Sequence, residues 1–211
     1  MRLRDLGFSK STYGEIILTI RHGDAVNVAP MGVLLEDDKR LSLRVYKGQR
    51  TCELIEKGAV DCVLNITCNS TLFYDAVLNK SEISYCPSEI VSSPRVRGCD
   101  AYVECSIIDV EDCGEYVRVL LKPQLIRVSR RIVKAHNRAE PAVIEALVCF
   151  TKILHLIKSN VEMAESLKER IKIFREIVYH STRNKKLRMM MTEILDRAEK
   201  MIREKKAMDK H

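Results

Sequence analysis

The chain has 211 residues and a formal net charge of +7, and its 46% hydrophobic and 31% charged residues form a globular composition that excludes a wholly disordered chain. No apolar run approaches the about 18 residues needed to span a bilayer, and Met1-Arg2-Leu3-Arg4-Asp5 opens no signal-peptide core, so the expectation is a soluble cytoplasmic protein. Residues 1 to 128 carry 16 Lys and Arg against 18 Asp and Glu, whereas 129 to 211 carry 20 against 11, so the positive excess lies in the C-terminal part.

In the first part the apolar stretches are short, β-branched and punctuated. Glu15 to Arg21 reads as a strand, His22-Gly23-Asp24 as a turn, and Ala25 to Leu35 as a second strand interrupted at Pro30. After an acidic turn, Glu36 to Lys39, strict alternation from Arg40 to Tyr46 puts Leu41, Leu43 and Val45 on one face. A short helix is expected from Thr51 to Lys57, stopped by Gly58, then a strand from Val60 to Thr67 and a helix from Ser70 to Leu78. The segment between Pro87 and Pro94 has no regular period. Two β runs follow, Ala101 to Val110 and Tyr116 to Lys122, with a last strand at Leu125 to Val128. Six or seven strands without long crossovers suggest a barrel or a sandwich more than a parallel α/β sheet.

Beyond residue 128 the period is helical throughout. Glu140-Pro141 starts a helix that continues through Ala142 to Ile157, and a second spans about Val161 to His180, with Met163, Leu167, Ile171, Phe174 and Val178 on its apolar stripe. A third runs from Lys185 to about Lys205, striped by Leu187, Met191, Ile194, Ala198 and Met201. Short loops joining three helices predict a small antiparallel bundle. The expected organisation is a β domain over 1–128, a linker over 129–139 and a helical domain over 140–211.

Familiar catalytic signatures are missing: the sequence holds no GxGxxG, P-loop, HExxH or GxSxG motif. The eight cysteines never form a CxxC, so they read as reduced small hydrophobes and no metal site is expected. His155 and His180 read as packing or surface residues on amphipathic helices, while His22, beside a turn, stays open as a site residue.

Two stretches are informative. Asn27-Val28-Ala29-Pro30-Met31-Gly32-Val33 places a proline in an apolar strand, where the lost ladder donor belongs at a bulge or an edge and frees neighbouring backbone groups for a ligand. The bland alternative is a protective irregularity of an edge strand. Arg44 to Thr51 lies between a strand and a helix, with Arg44, Lys47 and Arg50 able to neutralise a phosphate and Thr51 offering a hydroxyl. The same residues would also suit a solvated hairpin end.

The run from Ile16 to Thr67, ILTIRHGDAVNVAPMGV followed by RVYKGQRTCELIEKGAVDCVLNIT, resembles the FMN-binding split barrels of the flavin reductase and pyridoxamine-phosphate oxidase group. The whole chain is similar to a family of uncharacterised archaeal proteins with such a barrel and a C-terminal helical domain. The resemblance implies a homodimer with FMN in grooves between the subunits. Carried onto this chain, Pro30, Met31, Gly32 and Val33 would border the isoalloxazine ring, Arg44, Gln49, Arg50 and Thr51 would reach the phosphate, and Asn65 would join from the next strand. An oxidoreductase of the flavin reductase-like type is implied, with its catalytic residues unassigned and its substrate, a nicotinamide nucleotide or another small molecule, left open. The flavin would carry the redox chemistry, which is compatible with the missing catalytic motifs. The chain lacks the second phosphate cluster of pyridoxamine-phosphate oxidases and has its own Cys99 to Lys122 hairpin, so no relative's substrate transfers.

The main rival is a non-catalytic flavin-binding or electron-carrier module. Nucleic-acid binding, suggested by the basic C-terminal part and Arg183-Asn184-Lys185-Lys186-Leu187-Arg188, is disfavoured because Lys and Arg interleave with Glu and no aromatic stacking platform accompanies them.

Overall fold

A computed structural model describes residues 2–8, 10, 13–129, 139–182 and 184–208. The expected linker, save its end residues Ser129 and Ala139, and Arg183 of the basic run lie outside the described residues. The chain forms two compact units, Met1–Thr67 with Leu78–Ile132, and Cys68–Val77 with Val133–His211.

In the first unit, β1 (Gly14–His22) turns through Gly23, at φ 57°, and Asp24 into β2 (Ala25–Asp37). A two-residue hairpin with glycine first suits the right-handed twist of the strands it joins. Next come β3 (Arg40–Tyr46), the helix α1 (Arg50–Glu56) and β4 (Asp61–Ile66). A two-stranded pair, β5 (Tyr85–Cys86) and β6 (Arg95–Val96), precedes a long ribbon of β7 (Ala101–Asp112) and β8 (Tyr116–Val128). The six longer strands close as β1-β2-β3-β8-β7-β4, all antiparallel, so the barrel alternative holds. Alternate residues, among them Leu18, Val33, Leu43, Leu64, Val103 and Val119, fill the interior. Cys52, Leu54 and Ile55 of α1 join this core, as do Leu3 and Phe8 of the N-terminal segment.

Two expectations are corrected. Pro30 does not interrupt β2, because Gly14 to His22 pair without a break with Val33 to Ala25. Residues 116 to 128 form one strand, in which Gln124 is left unpaired beside a bulge opposite Glu104 and Cys105.

The irregular segment 84–97 is tied to the barrel's outer surface by buried polar side chains. Asp61 accepts from Ser92 N and Ser93 N at 2.8 and 2.9 Å, and Asn65 Oδ1 from Val96 N at 2.7 Å. Glu104, fully buried, accepts from Glu89 N and Ile90 N and pairs with Arg95 at 2.6 Å. The Glu89 carboxylate is bridged by Arg127 and Arg95, which lower its pKa from 4.5 to about 2; the hydrogen bonds of Ser92 and Ser93 outweigh desolvation and also hold Asp61 low. Folded values below the unfolded ones mean that these groups support the fold above their unfolded pKa, and that this support is lost as pH falls through the folded value. As pH falls below 3.8 and through the lowered value of Asp61, protection of the Ser92 and Ser93 amides, corrected for intrinsic exchange, should therefore decline before that of the barrel strands. Unchanged relative protection would contradict this account.

In the second unit, α2 (Ser70–Leu78, of which 70–77 belong here) accompanies three long helices, α3 (Ala139–Leu156), α4 (Val161–Ser181) and α5 (Lys185–Met208). Asn160 caps α4 through Met163 N at 2.9 Å, and Asn184 accepts from Lys186 N at 2.9 Å at the start of α5. Leu167, Ile171, Val178, Met191, Ile194 and Ala198 are buried as their spacing predicts, but Met163 at the head of the α4 stripe is 49% exposed. Tyr74 of α2 donates a hydrogen bond to Glu193 of α5. No described helix is long and apolar enough to cross a membrane.

Candidate functional site

The barrel has a split between β2 and β3. Their ladder begins at Val33 and Leu43, so β2 residues 25 to 32 pair with β1 only. Because Pro30 has no N–H, its pairing with Ile17 falls at a non-hydrogen-bonded position. By alternation the main-chain groups of Val28, Pro30 and Gly32 then turn toward the open side. The proline thus marks an edge and not a bulge. Met31 and Val33 send their side chains into the barrel core and, by the same alternation, turn their main-chain groups toward β1, so of the four residues expected at the ring only Pro30 and Gly32 face the open side.

At one end of the split Arg44, exposed and flanked by the core residues Leu43 and Val45, stands across from Gly32 just beyond the last paired residues. Its guanidinium lies 5.8 Å from the ring centre of Tyr13 and 5.2 Å from that of Tyr116. Tyr13 also covers Gly32: a Cβ at this position would meet Tyr13 Cδ1 at 3.0 Å. Gly32→Ala should therefore displace the tyrosine ring and lower stability by about 1 kcal/mol. Thermal melting of Gly32→Ala with and without Tyr13→Ala checks this, because the loss should vanish when the ring is absent.

At the other end the two informative stretches meet. Asn27, buried on the inner face of β2, donates from Nδ2 to the buried Thr51 Oγ1 of α1 at 2.9 Å. Asn27 Oδ1 accepts from Lys80 Nζ at 2.8 Å; Lys80 is an exposed residue, and partial desolvation of its ammonium end against Asn27 lowers its pKa from the ordinary lysine value. Gln49 is half-buried at the head of α1 and makes no side-chain capping bond, and Arg50 is exposed and paired with Glu53 at 2.7 Å.

The nine expected site residues are thus only partly brought together. Thr51 meets Asn27, which in turn holds Lys80, and Gln49 and Arg50 directly precede Thr51 in the chain, whereas Arg44 faces outward at the far end with Gly32. Asn65 is fully buried and its amide is committed to the fold: Nδ2 donates to Ile17 O and Thr19 Oγ1, and Oδ1 accepts from Val96 N. Lys80 has no signal in sequence, being one lysine after a helix, and Asn27 was legible only as part of its motif. His22 is exposed at the end of β1, and Cys52, Cys62, Cys99, Cys105 and Cys149 are buried, with burial pushing the Cys99 thiol up to about 12.

A closed six-stranded antiparallel barrel split along one strand, with a polar cluster at one end of the split and a long helical region after it, defines a split-barrel protein. Residues 14–134 match the N-terminal domain of a family described as a protein of unknown function, DUF447, and the chain belongs to that family. Its fold is similar to that of the FMN-bound protein MM1853 from Methanosarcina mazei, also of DUF447, at a TM-score of 0.73 and 21% identity over 93% of this chain and 99% of the other. Flavin reductase HpaC, solved with NADP+, matches at a TM-score of 0.51 and 19% identity, over 59% of this chain and 83% of the reductase. A Thermus thermophilus FMN-binding protein, solved with 1-cyclohex-2-enone, matches at 0.50 and 14%, over 58% and 74%.

Proposed function

We propose that the barrel unit binds one FMN per chain in the split between β2 and β3 and serves as an oxidoreductase of the flavin reductase-like type. The observation that carries this reading is the Lys80–Asn27–Thr51 cluster, which adds a partly desolvated cation and a hydroxyl to one end of an open backbone edge. The edge from Gly32 to Asn27 runs roughly 17 Å, room for a flat ring system followed by a polyol phosphate. The FMN of the Methanosarcina mazei relative supports the choice of cofactor.

The residues present fit that group. Lys80 and Thr51, with Gln49 and Arg50 at the rim, would hold the phosphate by charge and hydrogen bonds. Open main-chain groups of Val28, Pro30 and Gly32 would meet the polar edge of the ring, and backbone donors there would stabilise negative charge gained on reduction. Tyr13 and Arg44 would border the opposite end. FMN supplies electron and hydride transfer when bound, and the protein's part is orientation, electrostatics and access. A nicotinamide nucleotide is the donor to test first, and the free thiols suit a reducing cytoplasm.

The direct test is mass spectrometry of cofactor released from the purified chain, followed by anaerobic titration with NADH and NADPH. FMN at one per chain, reduced by either nucleotide, is the expected result; FMN that neither nucleotide reduces would favour a carrier, and a preparation that takes up no FMN would end the proposal. The split is open on one side, so we further propose a homodimer whose second chain completes the groove, with association and FMN binding linked. Sedimentation should show a dimer tightened by FMN; a monomer that holds FMN tightly would refute the shared groove.

A further inference from the structure

We propose that the barrel unit carries a second binding site, for a small carboxylate with an apolar body, at the end where β2 turns into β3. A cavity of about 680 Å³ opens there, within the range of small-molecule sites. It exists because β3 is short. The β3–β8 ladder stops at the pair of Leu41 with Leu121, so from Lys122 onward β8 has no partner on that side. The gap is floored by Leu3 and Leu35, both part of the barrel core, and walled by Leu125 and Ile126. An apolar body entering it would cover the half-buried Leu125 and Ile126 above a floor that is already buried.

The mouth selects for charge. Arg2 is held by Asp5 at 3.1 Å and Arg4 by Asp38 at 3.3 Å, so these two cations are balanced. Lys39, on the β2–β3 turn, and Lys122, on β8, also line the cavity and have no carboxylate partner among the described residues. Two uncompensated ammonium groups beside an apolar floor describe an amphipathic anion, and the neutral analogue of the same shape should be rejected. This end of the barrel lies away from α1 and the Asn27–Thr51 cluster, because α1 follows the opposite end of β3.

The test is calorimetry on the full chain with octanoate as probe and 1-octanol as its neutral counterpart, and displacement of 8-anilinonaphthalene-1-sulfonate as a second readout. Octanoate should saturate one site per chain and bind at least about tenfold more tightly than octanol. Lys39→Glu and Lys122→Glu should each weaken octanoate about fivefold and leave octanol unchanged. Circular dichroism confirms that the variants fold. Equal binding of acid and alcohol, no saturable binding up to about 10 mM, or folded variants that bind octanoate as before would overturn the proposal. Flavin is not a readout, so the result stands apart from the FMN reading.

Discussion

Replacing Lys80 with alanine should weaken FMN binding about tenfold to 100-fold and leave riboflavin binding unchanged. The loss of a charged hydrogen bond is worth about 1.5–3 kcal/mol, and the phosphate is the only group by which the two flavins differ. Lys80 Nζ already stands 2.8 Å from Asn27 Oδ1 in a setting that disfavours its charge, and a phosphate dianion would supply a counter-charge that no carboxylate among the described residues gives it. The ammonium deprotonates below the ordinary lysine value of 10.5, so FMN affinity should fall on the alkaline side earlier than an exposed lysine would allow. Thr51→Val, which keeps the side-chain shape, removes the acceptor of Asn27 Nδ2 and should weaken both FMN binding and the fold by about 1–3 kcal/mol. Fluorescence quenching titrations of both flavins against wild type and variants decide the matter. Parallel weakening of FMN and riboflavin by Lys80→Ala would place the phosphate elsewhere.

Glu104→Ala should be among the most damaging single substitutions in the barrel, at about 3–5 kcal/mol. The carboxylate is fully buried, pairs with Arg95 at 2.6 Å, and accepts the main-chain N–H groups of Glu89 and Ile90 at 2.9 and 2.8 Å. Its removal leaves two amides without an acceptor and Arg95, only 12% exposed, with Glu89 alone. Glu104→Gln keeps an acceptor oxygen and should cost about half as much. The midpoint of the barrel's urea transition reports the difference, and hydrogen exchange should show the amides of segment 84–97 released first. A midpoint shift below that of an ordinary surface substitution would mean that the clamp contributes little.

Binary pattern carried much of the fold. Arg40–Tyr46 was legible from alternation, which a strand with one apolar face repeats every second residue, whereas Glu15–Arg21 and Ala101–Val110 were legible as short, β-branched apolar runs, buried on both faces at Ile16–Ile20 and Ala101–Cys105. The stripe of Leu167, Ile171 and Val178 was legible for the corresponding helical reason, and Met163, in the first turn of α4, departed from it. Glu104 gave no such signal. Set among the apolar residues of β7, it reads as an exposed position on the outer face, and its burial comes from a loop that folds over that face.

By itself the amino-acid order determined most of the longer strands and the long helices and marked Pro30 as a bulge or an edge, because each depends on interactions within a few residues: pleat, helical turn and a missing N–H. It also marked the two stretches that bear on the site. Only the tertiary structure decided which of their side chains meet. Closing the barrel turned Asn27 inward against Thr51 and sent Arg44 outward to Tyr13 and Tyr116, and it brought Lys80 to a residue 53 positions earlier in the chain. Likewise, only long-range packing assigns residues 70–77 to the helical unit, through contacts such as Tyr74 with Glu193. Local periodicity says which face of an element is buried, but the partner on that face is set by strand register and chain closure, which no short window of sequence contains.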